Sequence, residues 1–337
     1  MKWRHWRILA AGLICLAASA GHQAGAQSAF GTATPKGMDL KALEDSTPNA
    51  TGTLNLRDRN NPDVIIATTT DALKAGRLDR GRQALALAAR AGAYLQKMQY
   101  DMAIADFDGA LEIDPKLADA YNGRGAAHQF QGKYDLAVDD YTHAIMLDPQ
   151  AGFLVNRGIS YRQSGKYDLA LADYSEAIRR QPDNVGAHAS RALVYLVQKQ
   201  FDAAIADYSA LIRLQPKEGD HYANRCIMLT RAGRPEEGLK DCQQALEFFP
   251  NDLHGLESRA YAFLKSGQYA LAIADYDAGI RLTTRSPDAF HGRGLAKMAM
   301  GDSAGSRADL DAAERLDPKV AETFDMVGLA RVDLAGP

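Results

Sequence analysis

A block of about 34 residues recurs seven times in succession between Ala84 and Pro318. That period constrains this chain more than any other feature. The seventh residue of every block is arginine: Arg90, Arg124, Arg157, Arg191, Arg225, Arg259 and Arg293. The twenty-third is aspartate: Asp106, Asp140, Asp173, Asp207, Asp241, Asp275 and Asp309. The blocks run 84–117, 118–150, 151–184, 185–218, 219–252, 253–286 and 287–318, with starts 34 residues apart save for one step of 33 before Ala151. Stacked copies of one unit bury a face that a single copy leaves in water. The 337 residues are therefore read as a linear array and not as two globular domains of ordinary length.

Inside each block apolar residues recur at helical spacing, break at a turn, and recur again. The turn carries Gly132, Gly165, Gly233, Gly267 or Gly301 in five blocks. Six blocks close on Pro115, Pro149, Pro182, Pro216, Pro250 or Pro318, residues that cannot continue a helix. The pattern predicts two antiparallel helices per block and an all-α chain. Small residues fill the eighth position (Ala91, Gly125, Gly158, Ala192, Cys226, Ala260, Gly294) and the twentieth (Ala103, Ala137, Ala170, Ala204, Gly238, Ala272, Ser306). Helices with small residues facing one another approach closely, and Phe107, Tyr141, Tyr174, Tyr208 and Tyr276 then seal the seam.

This set of small, aromatic and closing proline positions resembles the tetratricopeptide repeat. The resemblance covers residues 84–318. It implies an α-solenoid of about seven helix pairs, a right-handed superhelix with a concave inner groove. Some positions depart from the family pattern: Pro235 and Cys242 in block five, Thr284 in block six, Lys297 and Ser303 in block seven.

The two ends read differently. Lys2, Arg4 and Arg7 precede an apolar run from Ile8 to Ala20 and the small residues Ala24-Gly25-Ala26. This is the layout of a secretory signal peptide over 1–26, cleaved after Ala26, and it predicts a periplasmic or secreted protein. Cleavage lowers the basic count from 39 to 36 against 42 acidic residues, a net charge of −6. That balance argues against a nucleic-acid or anionic-membrane partner, and no membrane span is expected after cleavage. Residues 27–68 are expected as a flexible leader, 69–83 as a short helix with Ala72, Leu73 and Leu78 facing the first repeat, and 319–337 as a capping helix.

The arginine and aspartate columns lie at equal distances from the turn, so they are expected to form structural ion pairs within a block or with its neighbour. Cys226 and Cys242 are the two cysteines left after export, and they face one another across the helix pair of block five. A disulfide between them suits an oxidising compartment. Gly301-Asp302-Ser303-Ala304-Gly305 matches a hydrolase motif, but it falls in a helix–helix turn and not after a strand. No metal-ligand spacing, phosphate-binding loop or catalytic constellation is found, so neither an enzyme nor a cofactor is expected.

By the resemblance, the first helix of each pair lines the inner groove. The groove positions carry Val155, Ile159, Leu193, Leu196, Val197, Ile227, Tyr261, Leu264, Leu295 and Met298, with Asn122, Gln129, Arg162, Gln163, Arg231, Glu257, Lys265 and His291 as polar neighbours. The Lys-plus-Asn clamp that some relatives use for a C-terminal carboxylate is missing at the matching positions. The expected function is a protein–protein interaction module that holds a peptide or helix in this groove. The rival reading is a structural spacer that contacts partners through its leader or edges.

Overall fold

The structure, a computed structural model, describes residues 61–326. The signal segment, nearly all of the leader and residues 327–337 lie outside the described residues. Among the described residues the regular structure is sixteen helices and no strand. They are α1 (Pro62–Lys74), α2 (Arg80–Gln96), α3 (Tyr100–Ile113), α4 (Ala118–Phe130), α5 (Tyr134–Leu147), α6 (Ala151–Gln163), α7 (Tyr167–Arg180) and α8 (Val185–Val197). There follow α9 (Phe201–Leu214), α10 (Gly219–Arg231), α11 (Pro235–Phe248), α12 (Leu253–Lys265), α13 (Tyr269–Leu282), α14 (Pro287–Ala299), α15 (Ser303–Leu316) and α16 (Val320–Met326). Two compact units divide the described chain inside α8, one reaching Ser190 and one starting at Arg191.

In the unit up to Ser190, α2 pairs with α3, α4 with α5, and α6 with α7. Each pair packs on the next through its second helix, as α3 does on α4 and α5 on α6. In the unit from Arg191 the pairs are α10 with α11, α12 with α13, and α14 with α15. This is the all-α solenoid of helix pairs that the period implies.

The N-terminal boundaries differ from the sequence reading. A helix starts at Pro62, inside the expected leader, and ends at Lys74, where a helix within 69–83 was expected. The Asn61 side chain accepts the Asp63 N–H at 3.0 Å, and Pro62 occupies the first turn, where its missing N–H costs nothing. Ile65 and Ala72 of α1 and Leu78 after it pack on Ala86, Ala89 and Ala93 of α2. The first helix of the first block also reaches back beyond Ala84, because Asp79 caps α2 by accepting the Arg82 N–H at 2.8 Å.

The arginine column ties each block to itself and, within each unit, to the second helix before it. Arg157 donates from Nε and Nη2 to the two Asp173 carboxylate oxygens at 2.9 and 2.7 Å. Its Nη1 reaches back to Thr142 Oγ1 of the preceding second helix at 3.1 Å. Arg124 holds Asp140 at 2.7 Å and reaches Asp108 at 2.6 Å. Arg90 holds Asp106 and reaches Thr70 at 3.0 Å, so α1 stands where a preceding block's second helix would. In the other unit Arg225, Arg259 and Arg293 hold Asp241, Asp275 and Asp309 and reach back to Ser209, Gln243 and Asp277. Arg191 holds Asp207 at 2.7 Å. Bidentate, charge-assisted bonds between partly buried groups are among the stronger polar contacts, worth about 1.5–3 kcal/mol each.

The turn inside each pair requires one residue with positive φ. Gly132, Gly165, Gly233, Gly267 and Gly301 supply it, but Met98 and Lys199 hold φ of 58° in blocks one and four. An L side chain there carries a backbone strain that glycine does not.

Candidate functional site

The first helices of successive blocks also touch one another directly, as α2 does α4 and α4 does α6. In this layer of the unit up to Ser190, several expected groove residues turn out to be internal. Asn122 is buried, and its Oδ1 accepts from Asn156 Nδ2 at 2.9 Å. Gln129 Oε1 accepts from Ser160 Oγ at 2.9 Å and from the Tyr141 hydroxyl at 3.2 Å. Val155 is buried as well, which corrects its expected role as an apolar contact. Ile159 and Arg162 remain half-exposed. Arg162 lies beside the Tyr174 hydroxyl, which burial pushes up to about 12.

In the unit from Arg191, α10 touches α12, α12 touches α14, and α14 touches α16. Leu193, Leu196 and Ile227 are half-exposed. Tyr261 and Leu264, expected as accessible contacts, are instead 5% and 8% exposed. At Tyr261 α16 contributes the cover: Phe324 packs edge-on to the Tyr261 ring at 6.0 Å and against His291 at 4.8 Å, and Leu264 belongs to the same core cluster. Around them Ala260, Ala289 and Ala296 close the core. Arg231 stands beside Tyr261, Tyr208 and Asp288, and burial lowers it from the ordinary guanidinium value.

Models of the tetratricopeptide repeat match residues 155–219, 229–289 and 118–150, and one described as TPR repeat matches 92–132. Together they span more than half of the chain. The chain belongs to the tetratricopeptide repeat family. A tetratricopeptide repeat protein from Parabacteroides merdae is similar in structure, with a TM-score of 0.59 at 20% identity, covering 73% of this chain and 99% of that one. The C-terminal part of a TPR repeat-containing protein from Cytophaga hutchinsonii gives a TM-score of 0.56 at 18% identity, covering 70% and 97%. At these identities the likeness concerns the fold. No curated protein matches the sequence.

A tetratricopeptide array supports a protein–protein interaction scaffold, and such proteins are generally non-catalytic. Ser303, the serine of the hydrolase-like motif, is the exposed first residue of α15, and Asp302 beside it caps that helix by accepting the Gly305 N–H at 2.9 Å. Among the described residues, no three His, Cys, Asp or Glu converge as a metal site, and no helix is long and apolar enough to cross a membrane. Cys226 and Cys242 are joined by a disulfide with a Cα–Cα distance of 5.5 Å, both fully buried between α10 and α11.

Sequence reasoning named Glu257 only as a polar neighbour and passed over Ser286 and Asp288. The Ser286 hydroxyl donates to the Glu257 carboxylate across the gap between α12 and α14. Burial, aided by Asp288 and Asp252, pushes the Glu257 carboxyl up to about 7. Burial also raises Asp288, with Asp317 adding to the shift and Arg231 opposing it. Yet both side chains keep intermediate exposure. The only advance signal was their place, fifth and second in the block, on the face the family uses.

Proposed function

We propose that this tetratricopeptide protein holds a segment of a partner protein against the first helices of the unit from Arg191. Leu193, Leu196 and Ile227 supply apolar contact and Arg231 orients the segment. The observation that carries this reading is a contrast at equivalent positions. Tyr261 and Leu264 are buried in a core cluster that includes Phe324 of the chain's own α16, whereas Ile227 and Leu196, at the same ninth and twelfth places, stay half-exposed. An apolar stripe with a polar rim suits an extended peptide or a helix. A photoreactive residue at position 196 or 227, irradiated in producing cells, is expected to yield partner adducts. The double variant Leu196→Asp/Ile227→Asp should lose at least about tenfold in capture while keeping its helical circular dichroism. Unchanged capture by that folded variant removes the proposal. Loss of capture only on deleting residues 27–61 would favour the spacer reading.

The chain is also proposed to act outside the cytoplasm. The basic, apolar and small-residue order of residues 1–26 supports export, and a buried disulfide suits an oxidising compartment. Protein recovered from producing cells is expected to start at Gln27 and to carry Cys226 and Cys242 in one cross-linked peptide. An intact Met1 or two free thiols on peptide mapping would contradict this.

A further inference from the structure

Every buried carboxylate of the seven-block column has an arginine within 2.9 Å. Glu257 and Asp288, on the opposite helix layer, make no ion pair among the described residues. Arg231 acts on Asp288 through space without bridging to it. The Tyr276 hydroxyl is the second observation. It is 1% exposed, has no hydrogen-bond partner among the described residues, and is within electrostatic reach of Glu257, Tyr261 and Asp288, as well as of Asp275, which Arg259 already holds. The backbone of α14 passes so close that a Cβ at Gly292 would fall 2.3 Å from it. Two carboxylates without an ion pair and a phenolic oxygen with free lone pairs offer acceptors to a cation, and a chain that pairs every buried acid of its column leaves this place for a visitor.

We propose that Glu257, Asp288 and the Tyr276 hydroxyl receive a lysine or arginine side chain of the segment that the scaffold binds. This rests on the reading that the first-helix face holds a partner segment. The ammonium or guanidinium replaces the missing counter-ion between α12 and α14, and Ser286 keeps the Glu257 carboxylate turned toward it.

A pH signature follows from the sign of the linkage. Around Glu257 stand Asp252 at the start of its own helix, Ser286 and Asp288 from α14, and Tyr276 from α13, while Arg231 of α10 acts on Asp288. On α11 the acid Asp241 is already paired with Arg225. The free carboxyl titrates at about 7. A bound cation favours its ionised form, so affinity rises with pH, by about tenfold between pH 6 and pH 8.

The test uses the full chain labelled with carbon-13 at Glu and Asp carboxyl carbons, titrated with Nα-acetyl-arginine methylamide. Glu257 and Asp288 signals, assigned through Glu257→Gln and Asp288→Asn, should shift saturably, and about tenfold more weakly at pH 6 than at pH 8. The uncharged citrulline analogue should leave them in place, and each of the two near-isosteric variants should weaken binding at least about fivefold. No saturable shift, or equal shifts with citrulline, overturns the cation site. Because the probe is a single residue, that failure leaves capture at Leu196 and Ile227 to stand or fall by its own crosslinking result.

Discussion

Removing the Asp173 carboxylate, as Asp173→Ala, is expected to destabilise the unit up to Ser190 by about 3 kcal/mol. The Asp173 side chain is 7% exposed and that of its partner Arg157 19%. Arg157 is held above its ordinary value first by hydrogen bonding to Asp173, against the cost of its burial. Without the carboxylate, Nε and Nη2 keep that cost and lose their acceptors. Breaking a fully buried pair costs about 3–5 kcal/mol; the residual exposure of Arg157 lets water reach it and places the loss at the low end. Because solenoid stability is a sum of neighbour terms, hydrogen exchange should show the loss in α6 and α7 first. Asp135→Ala, which removes the solvent-exposed partner of Lys166, should leave the urea midpoint unmoved. Equal effects of the two substitutions would mean that the column carries no special stability.

The repeat, its helix pairs and the arginine–aspartate columns were legible because they are periodic, and a period needs no knowledge of neighbours. The starts of α4, α6, α8, α10, α12 and α14 coincide with the block starts for the same reason. The outer boundary was less legible. Ala84 is a block start by register alone, while Asp79 and Asn61 decide where α2 and α1 begin by capping them. Groove exposure was misread where burial comes from outside the block. Nothing within 253–286 announces that Phe324, some 60 residues away, will cover Tyr261. The Glu257 environment was hidden in the same way, since Ser286 and Asp288, which act on its carboxyl, lie about 30 positions on.

A second consequence of close packing is a graded cost for one substitution at several places. Gly292→Ala should destabilise the unit from Arg191 by about 3 kcal/mol. The added Cβ would sit 2.2 Å from Tyr276 Cζ and 2.3 Å from its hydroxyl. Tyr276 is 1% exposed and enclosed by its neighbours, so the ring has little room to turn aside and α14 is expected to lift away from α13. The sixth residue of the block thus makes room for the aromatic of the block before it, as Gly123 does for Phe107, where a Cβ would meet Cζ at 2.3 Å. Gly294→Ala, whose nearest neighbours would lie at 3.0–3.2 Å and include a flexible leucine, should cost about 1 kcal/mol. Gly152→Ala meets nothing within 4 Å and should be neutral or stabilising by about 0.5 kcal/mol through helix propensity. In the double variant Gly292→Ala/Tyr276→Leu the clash is gone, so the two changes should cost at least about 1 kcal/mol less than their sum. If thermal unfolding instead gives the same small effect at Gly292 and Gly152, the Tyr276 ring does not lie under α14. Its hydroxyl would then be free of the place between Glu257 and Asp288, and the cation site would lose its third acceptor.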